Sequence, residues 1–298
     1  MDFTPSEASV DLGGLVRTIT ESVVTNDHQR VLDGLEERFD RDLWAKLIEA
    51  DILSTAAPES LGGGGFGVLE QSAVLTALGR QLAAVPYLES AVLAAGALAK
   101  FGSAALQEQW ATPAINGTTI LTVALDGEMG QGPVQAQSTD GGYRLTGSRT
   151  QVAYGPVADA FLVPADTDDG LRVFLVTGAD SGVTVSTLNT TGHGTVGHLE
   201  LSATPVDPGR LVGGAEVSTG ALDPEHLDAL PGQRILLHHL GRGIAAAVIR
   251  HPLVGPQQVR PIEQLFRFAH PGGFFAIPQI FKTISGAGLG HGCLPFDG

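Results

Sequence analysis

The chain has 298 residues, of which 43% are hydrophobic and 16% charged, and its formal net charge is −15. A chain of this length allows about two domains. The negative charge argues against nucleic acid as a partner, because phosphate binding requires clustered Lys and Arg side chains. No apolar run reaches membrane-spanning length, so we expect no membrane span.

The first residues and the cysteine content suggest a location. The opening segment MDFTPSEASVDLGG has no basic stretch followed by an apolar one, so we expect no secretory signal. The single cysteine, Cys293, cannot form an internal disulfide, which favours a reducing compartment. We therefore expect a cytoplasmic protein.

Residues 1–112 carry helical patterns. Apolar side chains recur at three- and four-residue spacing from Ser6 to about Ala56, which predicts two or three helices. The four glycines at 62–65 interrupt this pattern and predict a loop. Helical patterns then return in three further segments: 68–83, 88–100 and 104–110.

Beyond Asn116 and Gly117 the pattern changes to that of short strands. Residues 118–125 are apolar and β-branched, and further segments of this kind follow at roughly ten-residue spacing, separated by Gly or Asp. Six or more short strands predict an antiparallel barrel or sandwich. No P-loop or GxGxxG context is present.

The composition changes near Gly213. Residues 214–298 hold equal numbers of acidic and basic side chains, so the whole net charge lies in residues 1–213. One helix is predicted over 233–250, and the rest of this segment follows neither helical nor strand periodicity. We therefore divide the chain into three domains: 1–113, 114–213 and 214–298.

Five motifs occur in order along the chain: FDRDLW at 39–44, APESLGGGG at 57–65, LGRQLAAVP at 78–86, YRLTGSR at 143–149 and ADAFLVPA at 158–165. Taken together, they resemble the acyl-CoA dehydrogenase family, and most closely its actinobacterial heteromeric types. The resemblance covers residues 1–213. It implies an α+β multidomain fold: a helical N-domain, a middle antiparallel β-barrel and, in this chain, a short irregular or helical C-terminal tail.

The resemblance also implies a cofactor and a reaction. Proteins of this family use FAD to oxidise the bond between the α and β carbons of a CoA thioester, while a carboxylate base removes the α proton. The family's flavin-contacting positions fall on Leu125 and Asp126, and then on Gln151 and Ala153. The family's usual Val-Thr-Glu-Pro and Trp-Ile-Thr patterns are absent at both places. The glycines at 62–65 suit either an acyl pocket or a flexible connection.

The tail does not contain the family's segment with the catalytic glutamate, so we assign no catalytic residue. Glu263 is better explained as part of a surface turn, and the histidines of the tail lack metal-ligand spacing, so no metal site is expected. We consequently expect activity only in a homo- or hetero-oligomer with another acyl-CoA dehydrogenase subunit.

Two other interpretations remain. A non-catalytic subunit or a truncated, inactive remnant of the family would explain the departures from its motifs. A lectin-like or carrier barrel is disfavoured, because it leaves the resemblance of the N-domain unexplained.

Trp44 is expected in the core of the N-domain and not at a ligand.

Overall fold

The computed structural model of the chain describes residues 5–55, 57–125 and 132–213. The predicted tail over 214–298, with its helix over 233–250 and Glu263, and the predicted site residue Asp126 lie outside this description. The helices precede the strands, as predicted. They are α1 (Glu7–Val23), α2 (Asn26–Asp33), α3 (Arg41–Glu49), α4 (Val68–Arg80), a π-helical segment (Tyr87–Ala95) that continues into α5 (Gly96–Phe101), α6 (Ala104–Leu106), a second π-helical segment (Gln107–Ala111) and α7 (Thr112–Ile115).

Side-chain caps fix where the first helices begin. Ser6, Thr25 and Asp40 each accept a hydrogen bond from a backbone N–H in the first turn of the helix that follows. Glu70 in the first turn of α4 accepts hydrogen bonds from the Ser6 hydroxyl at 2.6 Å and from the Gly67 N–H at 3.0 Å. The start of α1 is thereby joined to the start of α4.

The helices bury one apolar cluster among themselves, here called the helical cluster. Its larger members are Leu43, Trp44, Leu47, Ile52, Leu53 and Tyr87. Trp44 is 5% exposed, which confirms its predicted place in the core. Across the described residues, no helix has both the length and the apolar character that a membrane crossing requires.

The glycine-rich loop is tied closely to the backbone that precedes it. The N–H groups of Gly64, Gly65 and Phe66 donate to the carbonyls of Ser54, Ala57 and Thr55, respectively. A Cβ on Gly63 would lie 2.2 Å from the Ala57 carbonyl oxygen, so no side chain fits there. Close backbone packing therefore explains this glycine, and a freely flexible connection is not needed to account for it. A role in an acyl pocket stays a prediction.

The strands form one eight-stranded sheet in the order β6-β7-β3-β2-β4-β5-β8, with β1 beside β4. They are β1 (Leu121–Val123), β2 (Val134–Thr139), β3 (Gly142–Ala153), β4 (Ala160–Thr167), β5 (Gly170–Thr177), β6 (Val183–Leu188), β7 (Val196–Val206) and β8 (Leu211–Val212). Both β1 and β2 run parallel to β4, β1 pairing at residues 160–162 and β2 at 165–166. The other pairs are antiparallel.

The prediction of a closed antiparallel barrel was wrong. Within the described residues the sheet is open, with β6 and β8 as unjoined edges, and it includes parallel pairs. The two edge strands differ in length, because β8 offers only two residues for pairing and β6 has six. They are therefore poorly suited to pair with each other and close the sheet. The fold combines helices with a sheet, as the family resemblance implied, but the sheet is mixed and open.

Strand β4 is buried on both faces, which explains its unbroken apolar sequence. Ala160 and Leu162 belong to a helix–sheet cluster, which also contains Ala94, Leu98, Leu106, Leu121 and Leu175. Phe161, Val163 and Ala165 belong to a separate sheet cluster, together with Val134, Leu145, Phe174 and Leu199. The helices thus cover one face of β4, and the sheet builds its own core on the other.

Candidate functional site

The second predicted flavin-contacting segment lies on an irregularity of β3. The register between β3 and β7 shifts between Arg149 and Val152, so the intervening residues form a bulge. Gln151 has a φ of +55° and an exposed side chain, whereas the half-buried Ala153 pairs again with Val196. The bulge therefore presents the Gln151 amide at the surface of the sheet.

The first predicted segment follows the end of β1, and β1 is bonded directly to the bulge. The buried hydroxyl of Thr122 donates to the carbonyl of Ala153 at 2.7 Å. The N–H of Ala124 donates to the carbonyl of Leu162 at 2.9 Å, which keeps the chain beside β4 up to Leu125. Leu125 is half-buried and packs on the helix–sheet cluster.

The structure therefore brings the two predicted segments together only in part. Ala153 is linked to β1 through Thr122, but Leu125 makes no hydrogen bond to Gln151 or Ala153 within the described ranges. The sequence motifs did not identify Thr122, because nothing local shows that its hydroxyl reaches a strand thirty-one residues later. A buried Thr inside an apolar strand was the available signal.

Tyr154, directly after the bulge, was also missed. It adopts a left-handed backbone conformation with a φ of +54°, and its N–H donates to the Thr195 carbonyl at 2.7 Å. Its ring lies edge-on to Phe39 of the helical part, with the ring centroids 6.4 Å apart. Tyr154 thus connects the bulge of the sheet to the helices.

Acidic side chains surround this connection. Burial raises the pKa of the Tyr154 hydroxyl, and the negative charges of Glu89 and Asp40 act in the same direction, while Arg38 opposes them. Burial also raises the pKa of Glu89, which lies on the π-helical segment, above its ordinary value of 4.5. Asp40 is 1% exposed and lies 2.8 Å from His28 Nε2.

The raised pKa of Glu89 predicts a pH-dependent stability. The unfolded chain ionises this carboxyl near pH 4.5, whereas the folded chain resists ionisation. The free energy of unfolding should therefore fall as the pH rises from 4.5 through the higher pKa of the folded state. Glu89→Gln should remove this fall, so that the variant is more stable than the parent at neutral pH and similar to it in acid.

Urea denaturation of both proteins between about pH 4 and pH 8 would measure this difference. Glu59→Gln, on an exposed carboxyl that precedes the glycine-rich loop, is the matched control. A stability difference between Glu89→Gln and the parent that stays constant with pH would contradict the assignment.

The Thr122 hydroxyl is expected to hold β1 against the bulge. Thr122→Val keeps the shape of the side chain but leaves the Ala153 carbonyl without its donor, so it should cost about 1–3 kcal/mol of unfolding free energy. Thr122→Ser, which keeps the hydroxyl, is the control for the loss of a methyl group. Equal urea midpoints for the parent and Thr122→Val would show that the bond contributes nothing.

These features define a class of protein: a helical domain followed by a partly parallel sheet. An irregular strand of that sheet, β3, is followed directly by Tyr154, which contacts the helical domain. The family model for the N-terminal domain of acyl-CoA dehydrogenases matches residues 6–118. Acyl-CoA dehydrogenase FadE27 of Mycobacterium tuberculosis is 69% identical over 218 residues, which are 73% of this chain and 58% of that protein.

Solved structures agree with this result. A chain of the ChsE4-ChsE5 complex from Mycobacterium tuberculosis matches with a TM-score of 0.72 and 54% identity, over 96% of this chain and 74% of that chain. A variant of the Tcur3481-Tcur3483 steroid ACAD matches with a TM-score of 0.66 and 29% identity, over 88% of this chain and 74% of that one. The chain belongs to the acyl-CoA dehydrogenase family, which confirms the resemblance found in its motifs. It spans 58% of the length of FadE27.

Proposed function

We propose that this chain is an FAD-binding subunit of a heteromeric acyl-CoA dehydrogenase that oxidises the α,β bond of a CoA thioester. The observation that carries the proposal is the 54% identity, over nearly the whole chain, to a protein solved in the ChsE4-ChsE5 complex. A cytoplasmic location is part of the proposal, and the single Cys293 supports it.

The β3 bulge and the end of β1 are the proposed flavin edge. The exposed Gln151 amide offers both a donor and an acceptor, and the Ala153 methyl group leaves the strand surface open to a flat ring. Leu125 adds apolar surface where β1 ends. Asp126, the fourth proposed contact, follows Leu125 directly in the chain. The described residues of this edge therefore suit the isoalloxazine ring of FAD, since Gln151 offers a polar contact and Ala153 and Leu125 offer apolar ones. FAD, when bound, accepts the hydride from the β carbon of the substrate.

The other steps require groups that bind and orient the thioester and remove its α proton. We assign none of the described residues as the base, and we propose that a second subunit supplies the carboxylate. In residues 214–298 no segment matches the family's catalytic-glutamate segment. The likeness to a steroid ACAD makes CoA thioesters attached to a steroid the first substrate class to test.

Co-expression tests this proposal directly. The full chain would be produced alone, and with each chain of the Mycobacterium tuberculosis complex in turn, and oxidation of acyl-CoA by a dye acceptor would be measured. We expect activity only in the pairs, with each partner chain alone as the control. Absence of acyl-CoA oxidation in every combination, despite formation of a complex, would reject a catalytic role.

A non-catalytic subunit or a truncated, inactive remnant is the second candidate. The departures from the family's flavin motifs at Asp126, Gln151 and Ala153 favour it, because each replaces a residue type with which the family contacts the ring. The missing catalytic-glutamate segment favours it as well. This candidate predicts that the chain assembles with a partner whose activity it raises while it binds no FAD itself.

A further inference from the structure

The β3 bulge has an unusual conformation on both sides of Ala153. Gln151 and Tyr154 have φ values of +55° and +54°, and neither is a glycine. Left-handed conformations at side chains of this size persist only where the surrounding structure fixes them. The contacts that do so at Tyr154 come from two different parts of the fold.

The first set of contacts comes from the sheet. The Tyr154 N–H donates to the Thr195 carbonyl at 2.7 Å, immediately before β7. The next two residues then cross β7 closely: a Cβ on Gly197 would lie only 3.0 Å from Pro156 Cδ. The backbone after the bulge is therefore held against β7 with little room to shift.

The second set comes from the helical part, through Phe39. This ring is 3% exposed and lies edge-on to Tyr154 on one side and to Trp44 on another, with the Arg41 guanidinium 4.8 Å from its centroid. The next residue, Asp40, donates its N–H to the Ala84 carbonyl and caps α3 through Leu43. Phe39 is thus a rigid contact point for the Tyr154 ring.

We propose that Tyr154 is a positioning residue, whose ring on Phe39 and backbone bond to Thr195 fix the bulge that carries Gln151 and Ala153. Its relevance to cofactor binding rests on the proposed flavin function. Through Tyr154 the helical part sets the position of the flavin edge. The Thr122 bond fixes Ala153 from the β1 side, and Tyr154 fixes it from the side of the helices.

Two substitutions separate the ring from the backbone. Tyr154→Asn removes the ring but keeps a residue that tolerates the left-handed conformation, whereas Tyr154→Phe keeps the ring and removes only the hydroxyl. Phe39→Leu removes the contact from the other side and leaves Tyr154 unchanged. His193→Asn is the control, because His193 has a φ of +53° at an exposed position of another loop.

Hydrogen exchange of the full chain measures the conformation of the bulge without reference to any ligand. Tyr154→Asn and Phe39→Leu should each accelerate exchange of amides 150–155 by about tenfold, and Tyr154→Phe and His193→Asn should stay near the parent rate. Unchanged exchange in Tyr154→Asn and Phe39→Leu would overturn the proposal. So would equal acceleration across the whole sheet. If Tyr154→Asn fails to fold, the exchange of amides 150–155 in Phe39→Leu still tests the proposal.

An FAD titration of the same variants tests the effect on the cofactor. The dissociation constant should rise about tenfold in Tyr154→Asn and Phe39→Leu, with an altered visible band of the bound flavin, and should not change in Tyr154→Phe. Unaltered affinity and spectrum, together with faster exchange at the bulge, would overturn the link to the flavin edge. If the parent chain takes up no FAD either alone or in the co-expressed complex, the flavin proposal fails, and hydrogen exchange still decides whether Tyr154 fixes the bulge.

Discussion

Gly117→Val should strongly destabilise the chain, by about 3 kcal/mol or more. Gly117 has a φ of +73°, and a Cβ there would lie 2.3 Å from Ile48 Cγ1 and 2.8 Å from Leu53 Cδ1. Its carbonyl also accepts a hydrogen bond from Trp44 Nε1 at 3.3 Å. A valine at this position would be strained by the positive φ and would also clash with Ile48 and Leu53. Both effects act where the chain passes from the helices to β1.

Urea denaturation followed by circular dichroism would measure this loss, with Gly14→Ala as the control. Gly14 lies inside α1, where an added methyl group would meet no atom of the neighbouring structure within 4 Å, so alanine should stabilise that helix by about 0.5–1 kcal/mol. Opposite signs for the two glycines are expected. A Gly117→Val variant as stable as the parent would contradict the packing of this turn.

Phe161→Ala should cost about 3–5 kcal/mol, because it removes a large, fully buried ring from the sheet cluster. Phe161 pairs with Val176 of β5 and with Thr122 of β1, so a cavity there should also loosen the strand that holds Ala153. We therefore expect this variant to lose FAD affinity together with stability.

Phe66→Ala is the matched control, since this ring is 41% exposed and its loss should change the unfolding free energy by less than about 0.5 kcal/mol. Denaturation midpoints of both variants against the parent give the comparison. Similar denaturation midpoints for the two variants would mean that the Phe161 ring does not stabilise the buried core described for β4.

The sequence predicted local elements well, because their signals are local. Amphipathic spacing located the helices, and glycines between β-branched segments located the strands, including β4 at 160–167. The π-helical form of Tyr87–Ala95 could not be predicted, because an apolar pattern over nine residues does not separate π from α geometry. Strand pairing depends on distant residues, and this is why closure into a barrel was wrongly predicted.

The candidate site was predicted by position in the family motifs and not by physical pattern. Gln151 and Ala153 lie on one bulge, but the register shift that exposes Gln151 depends on β7. The left-handed conformation of Tyr154 could not be predicted from turn preferences, since residues at such positions are usually Gly, Asn or Asp. Glu89 gives no sequence signal, because its burial arises from packing between the π-helical segment and the rest of the fold.

In the proposed function, this chain contributes a flavin edge to a heteromeric acyl-CoA dehydrogenase. The most direct test is the visible absorption spectrum of the full chain, purified with FAD after co-expression with each chain of the Mycobacterium tuberculosis complex. We predict an oxidised-flavin spectrum that elutes with the complex, weakens in Thr122→Val, and fades when a steroid-linked acyl-CoA is added. A colourless complex, or a flavin spectrum that both Thr122→Val and Tyr154→Asn leave unaltered, would contradict this role.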